Sequence, residues 1–169
     1  GHGTHCAGTV GGSTIGVAAG ASVYGVKVLD DDGSGFTSVI VDGVEHAMAW
    51  AEANPATPVV ISMSLGGACA ASDCAGDAMV AAVESAVAAG VAVAVASGNS
   101  NVDACGATPA AAASALTVGA TDESDARAWF SNYGPCVDVH APGVDINSAQ
   151  AGAAAGYALL SGTSMACPH

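Results

Sequence analysis

Three polar side chains stand in settings that suit acyl-transfer chemistry. Ser164 lies in "SGTSMA", Ser161 to Ala166 of a 169-residue chain. A serine nucleophile needs an exposed hydroxyl, a base within hydrogen-bond reach and donors aimed at the oxyanion that develops. Gly162 lets the chain turn just before Ser164, which then falls in the first turn of a new helix. The unpaired amides of such a helix start favour negative charge beside the serine. In "GHGTHCAG", Gly1 to Gly8, His2 and His5 stand among small residues that let a helix pack closely on a neighbour and leave a histidine at its start. In "SGNS", Asn99 follows a run of small apolar residues, where its amide can point into a cleft. Each has a plainer reading alone. A serine before a helix is most often its cap, a lone histidine is usually structural, and an asparagine after glycine is a turn residue.

These residues must be positioned by the elements between them. "YGVKVLD" (Tyr24 to Asp30) and "VVISMSL" (Val59 to Leu65) predict buried strands, each closed by a turn signal. "VAVAVASGN" (Val91 to Asn99), "ALTVGATD" (Ala115 to Asp122) and "VDVHAPG" (Val137 to Gly143) predict three more. Apolar residues at Val39, Ile40, Val44, Ala47, Met48 and Ala51 follow helical spacing from Thr37 until Asn54 and Pro55 end it. A second helix starts at the capping Asp77 and stops at Gly90. Strands alternating with helices imply an α/β fold with a mainly parallel sheet covered by helices on both faces. Sites in such sheets form at the carboxyl ends of the strands, and "DDDGSG", "SLGG" and "SGNS" fall there.

Composition narrows the function. Hydrophobic residues make up 51% of the chain and aromatics 4%, so one domain can form a core of small, closely packed elements. Fifteen acidic residues against two basic ones, Lys27 and Arg127, leave a net charge of −13, which argues against nucleic-acid binding. Every apolar run is interrupted by glycine, serine or charge before it reaches membrane-spanning length. The six cysteines form no zinc-type C-x-x-C pair, and with scarce lysine they favour an oxidising, extracellular setting. Asp30, Asp32 and Ser34 match positions one, three and five of a calcium loop, but position twelve is Val41 rather than an acid, so an EF-hand is excluded. His2, His5 and Cys6 suggest a metal-binding module, which no second Cys/His cluster completes.

The strings "GHGTHCAGT", "SMSLGG", "VAVASGN", "FSNYG", "APG" and "SGTSMACPH", in this order, resemble the subtilisin-like serine proteases (subtilases), above all the proteinase K-like branch. The resemblance covers essentially the whole chain. It implies a secreted serine endopeptidase working through an acyl-enzyme, with His2 as general base, Ser164 as nucleophile and Asn99 as oxyanion donor beside the Ser164 amide; His5 packs structurally. The third member of the triad, an aspartate, precedes the histidine by a few dozen residues in this family, and Asp30, Asp31 and Asp32 lie on the wrong side of it. The chain is therefore expected to be a partial catalytic domain, residues 1–169, running from the histidine motif to the serine motif and inactive in isolation. A catalytically silent scaffold is the alternative, and it would be expected to have lost His2, Asn99 or Ser164.

The same resemblance implies that polypeptide substrates add as a strand between Gly33, Ser34 and Gly35 on one side and Ser64, Leu65, Gly66 and Gly67 on the other. Ser64 to Gly67 and Ala96, Ser97 and Gly98 would wall a first pocket open to apolar or aromatic side chains, its rim narrowed by Ala68 where some relatives have glycine. It further implies a monomer, a propeptide outside the chain, and no cofactor for catalysis. Structural calcium is expected at Asp138 with the carbonyls of Ala113 and Ala115. Cys105 with Cys136 matches a family disulfide whose loop is credited with roughly 3 kcal/mol. Cys69 and Cys74 can close a local bridge; Cys6 and Cys167 are expected as buried free thiols, with a bond between them as the alternative.

Overall fold

The computed structural model describes residues 1–69, 74, 76–152 and 156–169. In chain order the elements are α1 (His2–Gly11), α2 (Thr37–Ala53), β1 (Val60–Met63), β2 (Gly67–Ala68), α3 (Ala78–Ala88), β3 (Ala92–Ala96), β4 (Ala107–Thr108), β5 (Leu116–Thr121), β6 (Val139–Pro142), β7 (Ile146–Ala149), β8 (Tyr157–Leu160) and α4 (Thr163–Ala166). The central sheet has four parallel strands in the order β1-β3-β5-β6, with Val60 opposite Ala92, Ala94 opposite Leu116 and Val118 opposite Val139. Two antiparallel pairs, β2 with β4 and β7 with β8, and isolated bridges from Asp103 to Tyr133 and from Thr121 to Arg127 complete the pairing among the described residues.

Local signals account for α3. The Asp77 carboxylate accepts from the amides of Met79 and Val80, which would otherwise be orphaned. At the other end Gly90 takes φ +88°, and the amides of Gly90 and Val91 bond back to Val87 and Ala86, a glycine-dependent stop.

The alternation of side chains along β3 sorts the core into two layers. Val93 and Val95 face α2 and α3, joining Ile40, Val44, Met79, Val83 and Ala86. Ala94 and Ala96 face the opposite side, where Val118, Ala120, Phe130, Ala166 and Cys167 gather around α4. Helices thus cover both faces, as the alternating pattern implies.

Tyr24 to Asp30 departs from expectation. It takes no regular structure and pairs with no strand among the described residues. Val23, Tyr24 and Val26 are exposed, whereas Val28 and Leu29 lean on the helical layer of the core. A valine-rich run supplies strand propensity, but a ladder needs a partner at the right distance, and none lies beside this one among the described residues. The chain then turns at Gly33 (φ +84°), where the Asp30 carboxylate accepts from the amides of Asp32 and Ser34.

Both expected disulfides form. Cys69 bonds Cys74 and Cys105 bonds Cys136, with Cα separations of 5.2 and 5.3 Å. Cys6 and Cys167 are free.

Candidate active site

The site is built where α1 and the start of α4 meet the carboxyl ends of β1 and β3. His5 fixes α1. Its ring is buried, with Nε2 3.0 Å from the carbonyls of both Ile146 and Ala158, one on each strand of the β7–β8 hairpin. The Ser148 hydroxyl donates to the His5 carbonyl at 2.8 Å. Gly8 permits this approach, since a Cβ there would fall 2.6 Å from Ser148 Oγ and 2.8 Å from Ala149 Cβ. With α1 so docked, His2 is held at its first turn with an exposed residue surface. Partial desolvation of the ring, followed by the nearby charge of His5, lowers the His2 pKa below the usual 6.5.

The serine helix is held from two directions. Ser64, just past β1, donates its hydroxyl to the Ser164 carbonyl at 2.8 Å. From β3, the Asn99 Oδ1 accepts from the Thr163 amide at 2.8 Å and the Thr163 hydroxyl at 3.0 Å, and that hydroxyl accepts from the Gly98 amide at 3.1 Å. With Oδ1 spent in this way, the Asn99 Nδ2 has no hydrogen-bond partner among the described residues. The Ser164 amide has no partner among them either, as expected for the first turn of a helix. Two donors, the Asn99 Nδ2 and the Ser164 amide, are thus unspent among the described residues, and unspent donors are what an oxyanion requires.

His2 and Ser164 meet through a third side chain. Cys6 Sγ lies 3.9 Å from His2 Nδ1 and donates to the Ser164 carbonyl at 3.4 Å. The Ser164 hydroxyl itself points to the Ser64 carbonyl at 3.4 Å and makes no bond to the His2 ring. Such contacts tighten when substrate is bound. The proximity of a thiol and an imidazole raises a cysteine nucleophile, which the electrostatics oppose. Desolvation pushes the Cys6 thiol pKa upward, against the small lowering effect of Ser64, and the thiolate is the reactive form. Cys167, buried against Ser62 at 3.6 Å, is pushed upward by the same cause. Among the described residues no carboxylate hydrogen-bonds His2.

The remaining expected residues lie close to this centre or at some remove. Ala96 ends β3, buried Ser97 follows it, and Gly98 takes φ +102°. Leu65 packs on the helical core layer, and Gly67 is engaged in the β2–β4 ladder opposite Thr108. Ser34 and Gly35 line a cleft of about 500 Å³ with Lys27, Leu29, Phe36 and Val39, which includes none of His2, Asn99 and Ser164. No hydrogen bond joins residues 33–35 to 64–67. Asp138 docks on β5, its amide donating to the Thr117 carbonyl at 2.9 Å and its Oδ2 accepting from the Thr117 amide at 2.7 Å. Thr163, whose hydroxyl holds Asn99, is a residue that sequence reasoning missed, and Ser64, expected there as a substrate contact, also holds the Ser164 carbonyl; they stand inside the motifs "SGTSMA" and "SMSLGG".

The subtilase family profile matches residues 1–169. The chain is 50% identical over its whole length to alkaline serine exoprotease A of Vibrio alginolyticus and 49% identical to an extracellular serine proteinase of Thermus sp. strain Rt41A. It spans 29% and 39% of the lengths of those proteins. The crystal structure of a cold-adapted subtilisin-like serine proteinase superposes with a TM-score of 0.88 at 48% identity, covering 99% of this chain and 57% of that one. Among the described residues no helix is long and apolar enough to cross a membrane. A whole-length profile match, relatives of about half identity and a shared fold agree with the geometry around Ser164: the chain belongs to the subtilase family.

Proposed function

We propose that this chain carries the histidine-to-serine portion of a secreted serine endopeptidase of the proteinase K-like branch. In this reading Ser164 attacks the peptide carbonyl as His2 takes its proton. The Asn99 side chain and the Ser164 amide hold the oxyanion, and water cleaves the acyl-enzyme. The observation that carries it is the Asn99 carboxamide, whose oxygen is tied to Thr163 so that its NH₂ group is left for a ligand.

The acid partner of His2 is assigned to residues outside the chain. In serine proteases of this mechanism its loss costs about 10⁴ in turnover, so the isolated chain is expected to hydrolyse peptides poorly. Substrate would lie as a strand against Gly33 to Gly35 and Ser64 to Gly67, with an apolar or aromatic side chain entering between Ser64–Gly67 and Ala96–Gly98.

Calcium would be held by one carboxylate, Asp138, and the carbonyls of Ala113 and Ala115. No group of three or more acidic, histidine or cysteine side chains that could hold a metal occurs among the described residues, so any site must lean on backbone oxygen, which calcium accepts. The pairing of Asp138 with Thr117 brings the carboxylate within two residues of Ala115, which fits such a ligand set.

The test is labelling with a fluorophosphonate in the complete catalytic domain that contains this chain. Labelling that vanishes in Ser164→Ala is the expected result. A folded protein that resists the probe would instead be a scaffold that has kept the motifs without the chemistry.

A further inference from the structure

The loop that carries Asn99 is suspended from one buried side chain. Asn132, 2% exposed, donates its Nδ2 to the Ser97 carbonyl at 2.7 Å. Its Oδ1 accepts from the amides of Ser100 at 3.0 Å and Val102 at 3.2 Å, and its own amide donates to the Gly98 carbonyl at 2.9 Å. These four bonds bracket Asn99 on both sides in sequence while leaving its side chain untouched. The bracket is anchored in turn. The Ser131 hydroxyl, fully buried, donates to the Asn132 carbonyl and accepts from the Ala120 amide on β5, both at 3.0 Å. Gly98 has no room for a side chain because Asn132 fills it: a Cβ would lie 2.4 Å from Nδ2.

We propose that Asn132 is the positioning residue of the oxyanion donor. It acts through Asn99 and touches neither substrate nor the reacting atoms. The physical ground is that a side-chain carboxamide satisfies both donors and acceptors of an irregular loop at once, so the loop cannot shift without leaving buried polar groups unpaired. A donor displaced by about 1 Å loses up to 10²-fold in rate. The inference rests on Asn99 being the oxyanion donor, and the experiment separates the two claims.

A double-mutant cycle is run in the complete protease, with active enzyme counted by fluorophosphonate titration and turnover read on a peptide anilide. Asn99→Ala alone must lower kcat; an unchanged kcat would sink the donor reading and this proposal with it. Asn132→Ala alone is expected to lower kcat about 10- to 10²-fold with KM within about twofold, since ground-state binding is not its task. Added to Asn99→Ala, it should lower kcat by less than about threefold, because the donor it positions is already gone. The same fold-loss in both backgrounds, or a loss expressed in KM alone, would make Asn132 a general structural residue and overturn the proposal. Asn132→Asp keeps the acceptor for Ser100 and Val102 but sets an oxygen in place of the donor against the buried Ser97 carbonyl, so it should lower kcat at least as far as Asn132→Ala. If the alanine variant does not fold, the cycle is run with Asn132→Asp, and additivity there overturns the proposal equally.

Discussion

A neutral imidazole is what a general base requires, and the surroundings of His2 favour it. Its pKa is lowered by desolvation, so the unfolded chain binds the proton more readily than the folded one. The contribution of His2 to stability is therefore complete above pH 6.5 and is lost as pH falls from 6.5 through the depressed folded value. An NMR titration of the chain should give a His2 midpoint below 6.5, and supplying the proposed carboxylate partner should move that midpoint upward. A midpoint above 6.5 in the chain itself would mean that an acid already faces the ring. The proposed roles of His2, Asn99 and Ser164 can be read from the sequence only through the resemblance of their motifs, in this order, to the subtilases, since each residue alone has a plainer use. The duty of Asn132 cannot. Its side chain bonds residues some thirty positions away in sequence, at separations of 30 to 35, and no local spacing announces such a contact.

Among the elements, the loop after β3 shows how backbone shape and side-chain packing are coupled. Gly98 combines a φ of +102° with a neighbour that would clash with any Cβ. Gly98→Ala should therefore cost about 1–3 kcal/mol in a urea titration and lower kcat as well, since the loop that bears Asn99 must move to admit the methyl. Unchanged stability with unchanged kcat would show that the loop tolerates displacement. The two long helices and four sheet strands follow the expected boundaries to within a few residues, because capping, glycine stops and alternation are local physics. The Tyr24–Asp30 segment does not, because pairing is settled by what lies alongside, and among the described residues β1, with Val60 exposed, is the outermost strand of the sheet.

For the whole molecule, small residues limit what the core can contribute, and cross-links make up part of the difference. Cys105 and Cys136 are 31 residues apart in sequence, and their bridge fastens the loop after β3 to the turn before β6. Replacing both by alanine should lower stability by roughly 3–4 kcal/mol, read as an earlier midpoint of thermal unfolding; a midpoint unmoved would place the bridge outside the cooperative unit. Calcium makes a parallel prediction. If Asp138 holds the ion, chelation should lower the midpoint, and Asp138→Asn should abolish that response. The sequence by itself determined the alternation of strands and helices and the family, and pointed to the three proposed site residues, because these are written in periodicity and in motifs of fixed order. Only the tertiary structure decided that Asn99 spends its oxygen on Thr163, that Cys6 lies between His2 and Ser164, and that the Asn99 loop hangs from Asn132. Those are contacts between distant segments, and they come into being only when buried polar groups are forced to find partners across the folded chain.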